Sequence, residues 1–592
     1  MATQEKEILQ ADDLAGLSHE QLLRFYRTML TSRKIDEREI SLRKQNKTFF
    51  QISGAGHEAI GVAIAEHCRP GSDWFFTHYR DRALVLSLGQ TPLDHLLAAV
   101  GSGDDPATGG RQMPCHFSDV RLNIASSSSV VATQFLQAVG AAEADTKISR
   151  IPGIRDLVHN FDEDEIVLVC SGEGQTSEGE FWESLNSACN LSLPIVFVIE
   201  DNEYAISVPV EVQTAGGSIS QLVSGFPNLY IVECDGTDIV DSYRAAGAAI
   251  THAREQRAPA FIHAHCTRPH SHSMSDDERA YRTEKELAAQ DLRDPLTRIS
   301  TLLVENQVTT AEELEGLELE VGEEVASAAD EALASPRAAP ETAMRYLFSE
   351  DSDPTSSDFD TEDDPQYSDD NLLTMVDLLN ACIKSEMERD PRITVFGQDI
   401  ADASREEALS EVKGKGGVFK VTHGLQKQFG SERVYNTPLA EANIIGRGIG
   451  QAMRGLRPVV EIQFFDYIWP AMNQLRNELA TIHYRSNGTY SAPLVVRTTY
   501  GGYLKGGAIY HSQTGETLFT HTPGIHVCMP ATAEDANGLL RTAIRCDDPV
   551  LFLEHKHLYR QVYNKGRNPV SYTHLRAHET SLHLVCRLLL EK

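Results

Sequence analysis

Glu173 and Asn202 are the residues whose types and spacing most clearly predict chemistry. Glu173 lies in a Gly172-Glu173-Gly174 turn after the apolar run 166–170, and Asn202 comes shortly after the apolar run 194–199. Because both runs are rich in β-branched residues, we expect two strands that are buried on both faces of a parallel sheet. Ligands of such sheets bind at the carboxyl ends of the strands. The pattern therefore predicts a site for a hard cation at this edge.

The donor set favours magnesium bound together with phosphate. Mg²⁺ prefers an octahedron of oxygens and commonly takes phosphate oxygens as well as protein ligands. The carboxylate of Glu173, the amide oxygen of Asn202 and the main-chain carbonyl of Tyr204 would supply three oxygens. The two glycines let the backbone approach an anion, and the N-terminus of a helix starting near Ser177 favours phosphate. A Gly-x-Gly turn alone indicates only an ordinary strand-to-helix connection.

The elements that must position these residues form two α/β halves. A helix over residues 181–191 joins the first two strands into a βαβ unit. In the second half, the runs 393–396, 459–462 and 493–497 predict further buried strands, and residues 441–453 predict a helix. The fold class is therefore α/β, with parallel sheets flanked by helices in each half.

Composition excludes several classes of partner. The formal charge is −33, from 53 basic and 86 acidic residues, which argues against nucleic acid and anionic membranes. No apolar run approaches the ~20 residues of a membrane span. The ten cysteines include no Cys-x-x-Cys pair, and the first residues have no apolar signal core, so a reduced, cytoplasmic protein is expected.

The predicted domain bounds are 1–335, an acidic linker over 336–371, and 372–565. Within the linker, residues 350–370 hold ten carboxylates and no basic residue, which indicates a solvated segment. The preceding stretch 310–334, rich in Ala and Glu, predicts an exposed helix. Residues 570–592 resemble translated adapter sequence, so we expect a non-native tail; a genuine C-terminal helix is the alternative.

Residues 172–181 and 201–207 resemble the α subunit of the E1 components of 2-oxo acid dehydrogenases, which use thiamine diphosphate and magnesium. Glu173, where many thiamine enzymes have Asp, is similar to the branched-chain members. The resemblance implies that Glu173, Asn202 and Tyr204 bind Mg²⁺ and that His272 is catalytic. It also implies cofactor contacts from Tyr79, Arg80, Ser129, Val131, Gly174, Gln175 and Asn202, and potassium ligands at Ser128, Thr133 and Gln134. One departure is Glu200-Asp201, where some relatives carry Arg-Asn, which adds negative charge near the diphosphate.

Residues 436–441, 461–468 and 510–513 resemble the β subunit of the same enzymes, over about 372–564. The resemblance implies two transketolase-like domains fused in one chain, and a further C-terminal domain of the β subunit that is missing here. Glu441 would hydrogen-bond the aminopyrimidine ring, which requires a buried carboxyl with a raised pKa; a helix N-terminal Glu is the structural alternative. His511 would be catalytic, and the ring pocket would be lined by Leu439, Gln463 and Tyr467.

The resemblance implies the E1 reaction on branched-chain 2-oxo acids such as 3-methyl-2-oxobutanoate, with acyl transfer to a lipoylated E2 partner. A homodimer of fused chains would reproduce the α2β2 arrangement of the family, in which the cofactor sits between halves of different protomers. Pyruvate or acetoin dehydrogenase chemistry is one alternative, and an inactive fragment is another. Ser273 aligns with a position that is phosphorylated in animal relatives, although a plain loop serine is the simpler interpretation.

Overall fold

The computed structural model describes residues 14–158, 160–354, 356, 359, 367–502 and 505–569. Its contacts divide the chain into two units. Unit 1 comprises Met1–Ala138, Asp164–Ala343 and Arg485–Asn487, and unit 2 comprises Val139–Glu163, Met344–Tyr484 and Gly488–Lys592. The domain bounds expected from sequence stay predictions. The proposed tail, 570–592, and part of the acidic linker lie outside the described residues.

Unit 1 is built on a five-stranded parallel sheet in the order β1-β2-β3-β7-β6. A two-stranded antiparallel hairpin, β4-β5, lies outside this sheet. The strands are β1 (Trp74–Phe76), β2 (Val167–Gly172), β3 (Ile195–Asp201), β4 (Tyr204–Ala205), β5 (Val208–Pro209), β6 (Tyr230–Cys234) and β7 (Ala260–His265).

The helices up to the linker are α1 (His19–Lys44), α2 (Glu58–His67), α3 (Arg82–Leu88), α4 (Pro92–Val100), α5 (Thr133–Arg150), α6 (Gly179–Leu191), α7 (Val210–Gln213), α8 (Ile219–Val223), α9 (Ile239–Gln256), α10 (Glu284–Asp291), α11 (Pro295–Glu305) and α12 (Ala311–Ala334). The predicted βαβ unit is confirmed, because β2 and β3 pair in parallel from Val167 opposite Ile195 to Gly172 opposite Glu200. Every residue of both strands is buried, as the apolar runs predict.

Helix α12 corrects one expectation. The helix forms where the sequence predicts it, and a Thr310 capping box begins it. It is not exposed on all sides, because a narrow stripe of small and apolar residues is buried in a core cluster of unit 1 that also contains α1 residues. The buried positions are Leu314, Val321, Val325, Ala329 and Ala332. Because Glu is abundant on the other faces, the composition of the segment suggests an exposed helix and does not reveal the buried stripe.

Unit 2 contains a six-stranded parallel sheet in the order β12-β13-β11-β10-β8-β9. The strands are β8 (Ile393–Gly397), β9 (Val434–Asn436), β10 (Arg457–Ile462), β11 (Val495–Tyr500), β12 (His526–Cys528) and β13 (Val550–His555). The helices are α13 (Met375–Arg389), α14 (Leu425–Phe429), α15 (Glu441–Met453), α16 (Ile482–Arg485), α17 (Glu516–Thr520) and α18 (Ala533–Arg545). Each predicted strand of this half is present, and α15 has the predicted bounds. Among the described helices, none combines the length and apolarity that a membrane crossing needs.

Candidate active site

A cavity of about 320 Å³ lies in unit 1 at the carboxyl ends of β2 and β3. This is the edge at which the sequence predicts a ligand, because Glu173 and Asn202 directly follow the two strands. The structure brings ten of the predicted site residues to the wall of this cavity. They are Tyr79, Arg80, Ser129, Val131, Glu173, Gly174, Gln175, Asn202, Tyr204 and His272.

Two oxygens at this wall are suited to a cation. Glu173 Oε1 and Asn202 Oδ1 are buried, and neither has a hydrogen-bond partner among the described residues. Burial, followed by the nearby Asp201 carboxylate, raises the pKa of Glu173 to about 7. Buried polar atoms are nearly always satisfied, so a carboxylate and an amide oxygen left open at the wall of one cavity fit a divalent cation with oxygen ligands.

The turn after β2 brings the backbone close to the cavity. A 3-10 turn over Glu173–Ser177 precedes α6, which begins only at Gly179. The cavity wall includes the first residues of this turn, and α6 begins two residues later than expected, so the role expected for its N-terminus stays a prediction. A Cβ on Gly174 would lie 2.5 Å from the Ala205 side chain, which explains the need for glycine there.

The turn after β3 presents the other two predicted magnesium ligands. Glu203, between Asn202 and Tyr204, has φ of +69°, a left-handed conformation that costs a non-glycine residue roughly 1–2 kcal/mol. The turn is held because Glu203 N donates to Asp201 Oδ1 at 2.8 Å. The Tyr204 carbonyl accepts a long hydrogen bond from Arg268 Nη1, at 3.4 Å, and retains a second lone pair for a cation.

A buried histidine orients the Asn202 amide. Asn202 Nδ2 lies 3.2 Å from His57 Nε2, and His57 Nδ1 contacts the Glu200 carboxylate. Burial, with Arg80 nearby, lowers the pKa of His57 to about 3, so the imidazole is neutral. Its Nδ1–H donates to Glu200 and its Nε2 accepts from the amide, which leaves Asn202 Oδ1 for the cation. Glu200, at the position where the sequence departs from some relatives, thus accepts a hydrogen bond from the neutral His57 ring.

Arg80, which is buried, and His272, which is half-buried, form a second pair at the cavity wall. Arg80 Nη2 donates to His272 Nδ1 at 3.2 Å and to the His272 carbonyl at 3.1 Å, while Nη1 donates to the Ser53 carbonyl. Burial, then the charges of Arg80 and Arg268, lowers the pKa of His272 to about 4. His272 is therefore a neutral imidazole whose Nε2 carries the proton. Ser273, the following residue, is buried and bonds Ser275 Oγ at 2.9 Å.

The three predicted potassium ligands each form hydrogen bonds within the chain. Ser128 Oγ accepts from Val130 N at 3.1 Å, and Thr133 Oγ1 donates to the Val130 carbonyl at 2.8 Å. The Gln134 amide instead donates to the Cys170 carbonyl at 3.2 Å and to Gln175 Oε1 at 2.9 Å. Potassium binding by Ser128, Thr133 and Gln134 stays a prediction.

The predicted residues of the second half lie in unit 2. Tyr467 Oη and His511 Nε2 are 2.9 Å apart, and His511 Nδ1 donates to the Gly507 carbonyl at 3.1 Å. Glu441 is the first residue of α15 and is half-buried within its unit, not fully buried as expected. Gln463 is half-buried, whereas Leu439 is 70% exposed. Their predicted roles stay predictions.

Several cavity residues escaped the sequence analysis. They are Phe50, Ile52, His78, Met113, His116, Ala205 and Ile206. His116 contacts Ser129 through Nε2, and His57 lies behind the wall. One signal could have revealed His57, because it directly follows Gly54-Ala55-Gly56, and such stretches mark close backbone approach. His78 is next to the predicted Tyr79.

Two family models match the chain. The model described as "Dehydrogenase E1 component" matches residues 26–341, and the model described as "Transketolase, pyrimidine binding domain" matches residues 372–562. The first match covers more than half of the chain and contains the whole cavity described above. The second contains Glu441 and His511.

Curated relatives divide the chain in the same way. The 2-oxoisovalerate dehydrogenase subunit alpha of Bacillus subtilis (strain 168) is 35% identical over 333 residues, 56% of this chain and 97% of that subunit. The subunit beta of the same organism is 50% identical over 199 residues, 34% of this chain and 56% of that subunit. A pyruvate dehydrogenase E1 component subunit beta, also from B. subtilis, is 40% identical over 188 residues, 32% of this chain and 54% of that subunit.

The chain thus spans nearly all of the alpha relative and about half the length of the beta relatives. A cavity with two open oxygens at the ends of adjacent parallel strands fits the thiamine diphosphate and divalent metal that this family implies. The chain belongs to the dehydrogenase E1 component family, with an α-like region and a β-like pyrimidine-binding region in one polypeptide.

Proposed function

We propose that this protein is the E1 component of a 2-oxo acid dehydrogenase complex, acting on branched-chain 2-oxo acids with Mg²⁺ and thiamine diphosphate. The observation that carries the proposal is the pair of open, buried oxygens, Glu173 Oε1 and Asn202 Oδ1, at the cavity wall. The higher identity to 2-oxoisovalerate dehydrogenase subunits than to the pyruvate relative supports the branched-chain substrate.

When bound, thiamine diphosphate supplies the electron sink on which a 2-oxo acid loses carbon dioxide. Glu173, Asn202 and the Tyr204 carbonyl would hold the magnesium ion, and Gly174, which has no side chain, would let a phosphate group approach the backbone of the turn. His272, neutral and held by Arg80, would donate from Nε2 to a substrate oxygen. Glu441 would exchange a proton with the cofactor ring, and Tyr467 would hold the His511 ring in its orientation.

The partners and the setting belong to the same proposal. The acyl group would pass to a lipoyl group on an E2 acyltransferase, and two copies of the chain would form a homodimer equivalent to α2β2. Potassium would bind near Ser128, and the enzyme would act in the cytoplasm. Pyruvate is the second candidate substrate, favoured by the 40% identity to a pyruvate E1 subunit. One methylene in an apolar pocket discriminates by only ~1–3 kcal/mol.

The decisive experiment is an assay of the chain with Mg²⁺, thiamine diphosphate and an artificial electron acceptor. We expect turnover of 3-methyl-2-oxobutanoate with a kcat/KM at least about tenfold above that for pyruvate, equivalent to 1.4 kcal/mol. Turnover of pyruvate alone would refute the branched-chain assignment. Absence of turnover with every 2-oxo acid, in a protein that binds the cofactor, would favour the inactive-fragment alternative.

Two variants separate cofactor binding from chemistry. Glu173→Gln removes the charge that binds the metal, so we expect loss of magnesium-dependent cofactor binding by calorimetry. Glu441→Gln should bind the cofactor normally and lose activity, because an amide cannot exchange the proton. Full activity in Glu441→Gln would disprove its proposed role.

A further inference from the structure

Four ligand-type side chains that the proposed function leaves without a metal-binding or catalytic role lie together on one face of the unit 1 sheet. His263 and His265 alternate on β7 and therefore point to the same side. Asp201 on β3 is in register with His265, and Glu233 on β6 is in register with His263. Because paired residues of parallel strands share a face, the four side chains form a compact patch of two imidazoles and two carboxylates.

The contacts within the patch run diagonally between the register pairs. His263 Nε2 lies 3.0 Å from Asp201 Oδ2, and His265 Nε2 lies 3.5 Å from Glu233 Oε2. One ligand atom from each of Asp201, His263 and His265 lies within 4.8 Å of the others. Four ligands around Zn²⁺ at ~2.0–2.1 Å are roughly 3.3 Å apart in a tetrahedron. Small side-chain rotations would bring the atoms of Asp201, His263 and His265 to zinc distances, and Glu233, in contact with His265, could rotate in as the fourth ligand.

Two side chains of the patch are buried, and the other two are partly exposed to solvent. Asp201 and His263 are buried, while the side chains of His265 and Glu233 are 44% and 49% exposed. An ion could therefore enter from the side of His265 and Glu233 and meet two ligands that are already in place.

A second layer of hydrogen bonds supports His263. Its Nδ1 lies 3.0 Å from Ser220 Oγ, and that hydroxyl in turn donates to the Glu233 carboxylate. Ligating histidines usually donate their other ring N–H to a neighbouring oxygen, which fixes the tautomer. Donation from Nδ1 to Ser220 leaves Nε2 as the atom that faces Asp201.

We propose that Asp201, Glu233, His263 and His265 form a second metal site, for a zinc-class divalent cation with two nitrogen and two oxygen ligands. Imidazole ligands favour such ions over magnesium, so the site is chemically distinct from the oxygen-only site at Glu173. All four ligands come from the protein, which is typical of structural sites. Since Asp201 Oδ1 also holds Glu203 N, the ion would clamp the turn that presents Asn202. The proposal does not depend on the proposed enzymatic activity.

Cobalt(II) is the probe that tests the site, because four-coordinate cobalt absorbs far more strongly in the visible range than octahedral cobalt. The full chain, in excess Mg²⁺ and thiamine diphosphate to occupy the first site, is titrated with Co²⁺. We expect one equivalent to give the intense four-coordinate spectrum and Zn²⁺ to abolish it. The His265→Ala variant should weaken Co²⁺ binding by at least about tenfold.

The His265 side chain is partly exposed, so its removal should not unfold the protein. His19→Ala, which removes an exposed histidine at the start of α1 in the same unit, is the matched control and should bind Co²⁺ like the parent. The proposal is overturned if the parent chain gives only the weak octahedral spectrum. It is equally overturned if His265→Ala binds Co²⁺ as tightly as the parent.

Discussion

The side-chain amide of Asn202 donates to Nε2 of His57 across 3.2 Å, and this contact fixes which end of the amide faces the cavity. His57 is itself held by Glu200 through Nδ1. The oxygen left open at Asn202 is the one placed to bind a cation. We therefore infer that His57 is a positioning residue for the proposed metal site, although it does not line the cavity.

His57→Leu should weaken magnesium-dependent binding of thiamine diphosphate by about tenfold, since the amide loses the partner that sets its orientation. Calorimetric titration of the cofactor at fixed Mg²⁺ measures this change. The matched control is His95→Leu, which removes another buried histidine of unit 1 that does not line the cavity. If both variants bind the cofactor equally well, Asn202 is oriented by something other than His57.

Glu203→Gly should stabilise the protein against unfolding by up to about 1 kcal/mol, because glycine adopts the positive φ at this position without strain. Glu203→Ala keeps the strain and should have little effect. The shift in the midpoint of urea unfolding compares the two. A stabilisation by Ala equal to that by Gly would show that loss of the side chain, not relief of the backbone, is the cause.

His272 should stay neutral through the physiological pH range. Its folded pKa of about 4 lies below its usual value of 6.5, so the unfolded chain binds more protons between these values. Stability therefore rises with pH over this interval, and the contribution is lost as pH falls below 6.5 towards 4. The parent should lose more stability than His272→Gln between pH 7 and pH 5. If the difference in the free energy of unfolding between the parent and His272→Gln is the same at pH 7 and pH 5, the lowered pKa of His272 is contradicted.

Arg497→Met should destabilise unit 2 by about 3–5 kcal/mol, because it leaves buried carboxylates without their counter-charge. Arg497 donates to Glu554 through Nε and Nη2, at 2.7 and 2.8 Å, and to Glu461 through Nη1 at 2.8 Å. The exposed pair Arg150–Glu432 is the control, and Arg150→Met should cost under about 1 kcal/mol. Equal midpoints of urea unfolding for the two variants would refute the buried-network argument.

The strands of the two sheets show which elements the local sequence pattern can predict. Continuous apolar runs predicted the strands around 166–170 and 194–199 because strands buried on both faces need no alternation. Helix α12 was predicted as a helix but misjudged as exposed, since its buried stripe consists of a few small residues among many carboxylates. Amino-acid composition describes the average polarity of a helix, whereas the packing of that helix depends on the residues that share one face.

The sequence by itself determined that Glu173 and Asn202 share one edge of a parallel sheet. Each residue comes shortly after the apolar run that predicts its strand, so the end of each strand can be located from the sequence. It equally determined family membership, through motifs that are contiguous in the chain. Only the tertiary structure decided that His57 sets the Asn202 amide and that Arg80 holds His272. It also decided that His263 and His265 meet Asp201 and Glu233. These contacts join segments far apart in the chain, and their register depends on how strands and helices pack, which local residue types do not encode.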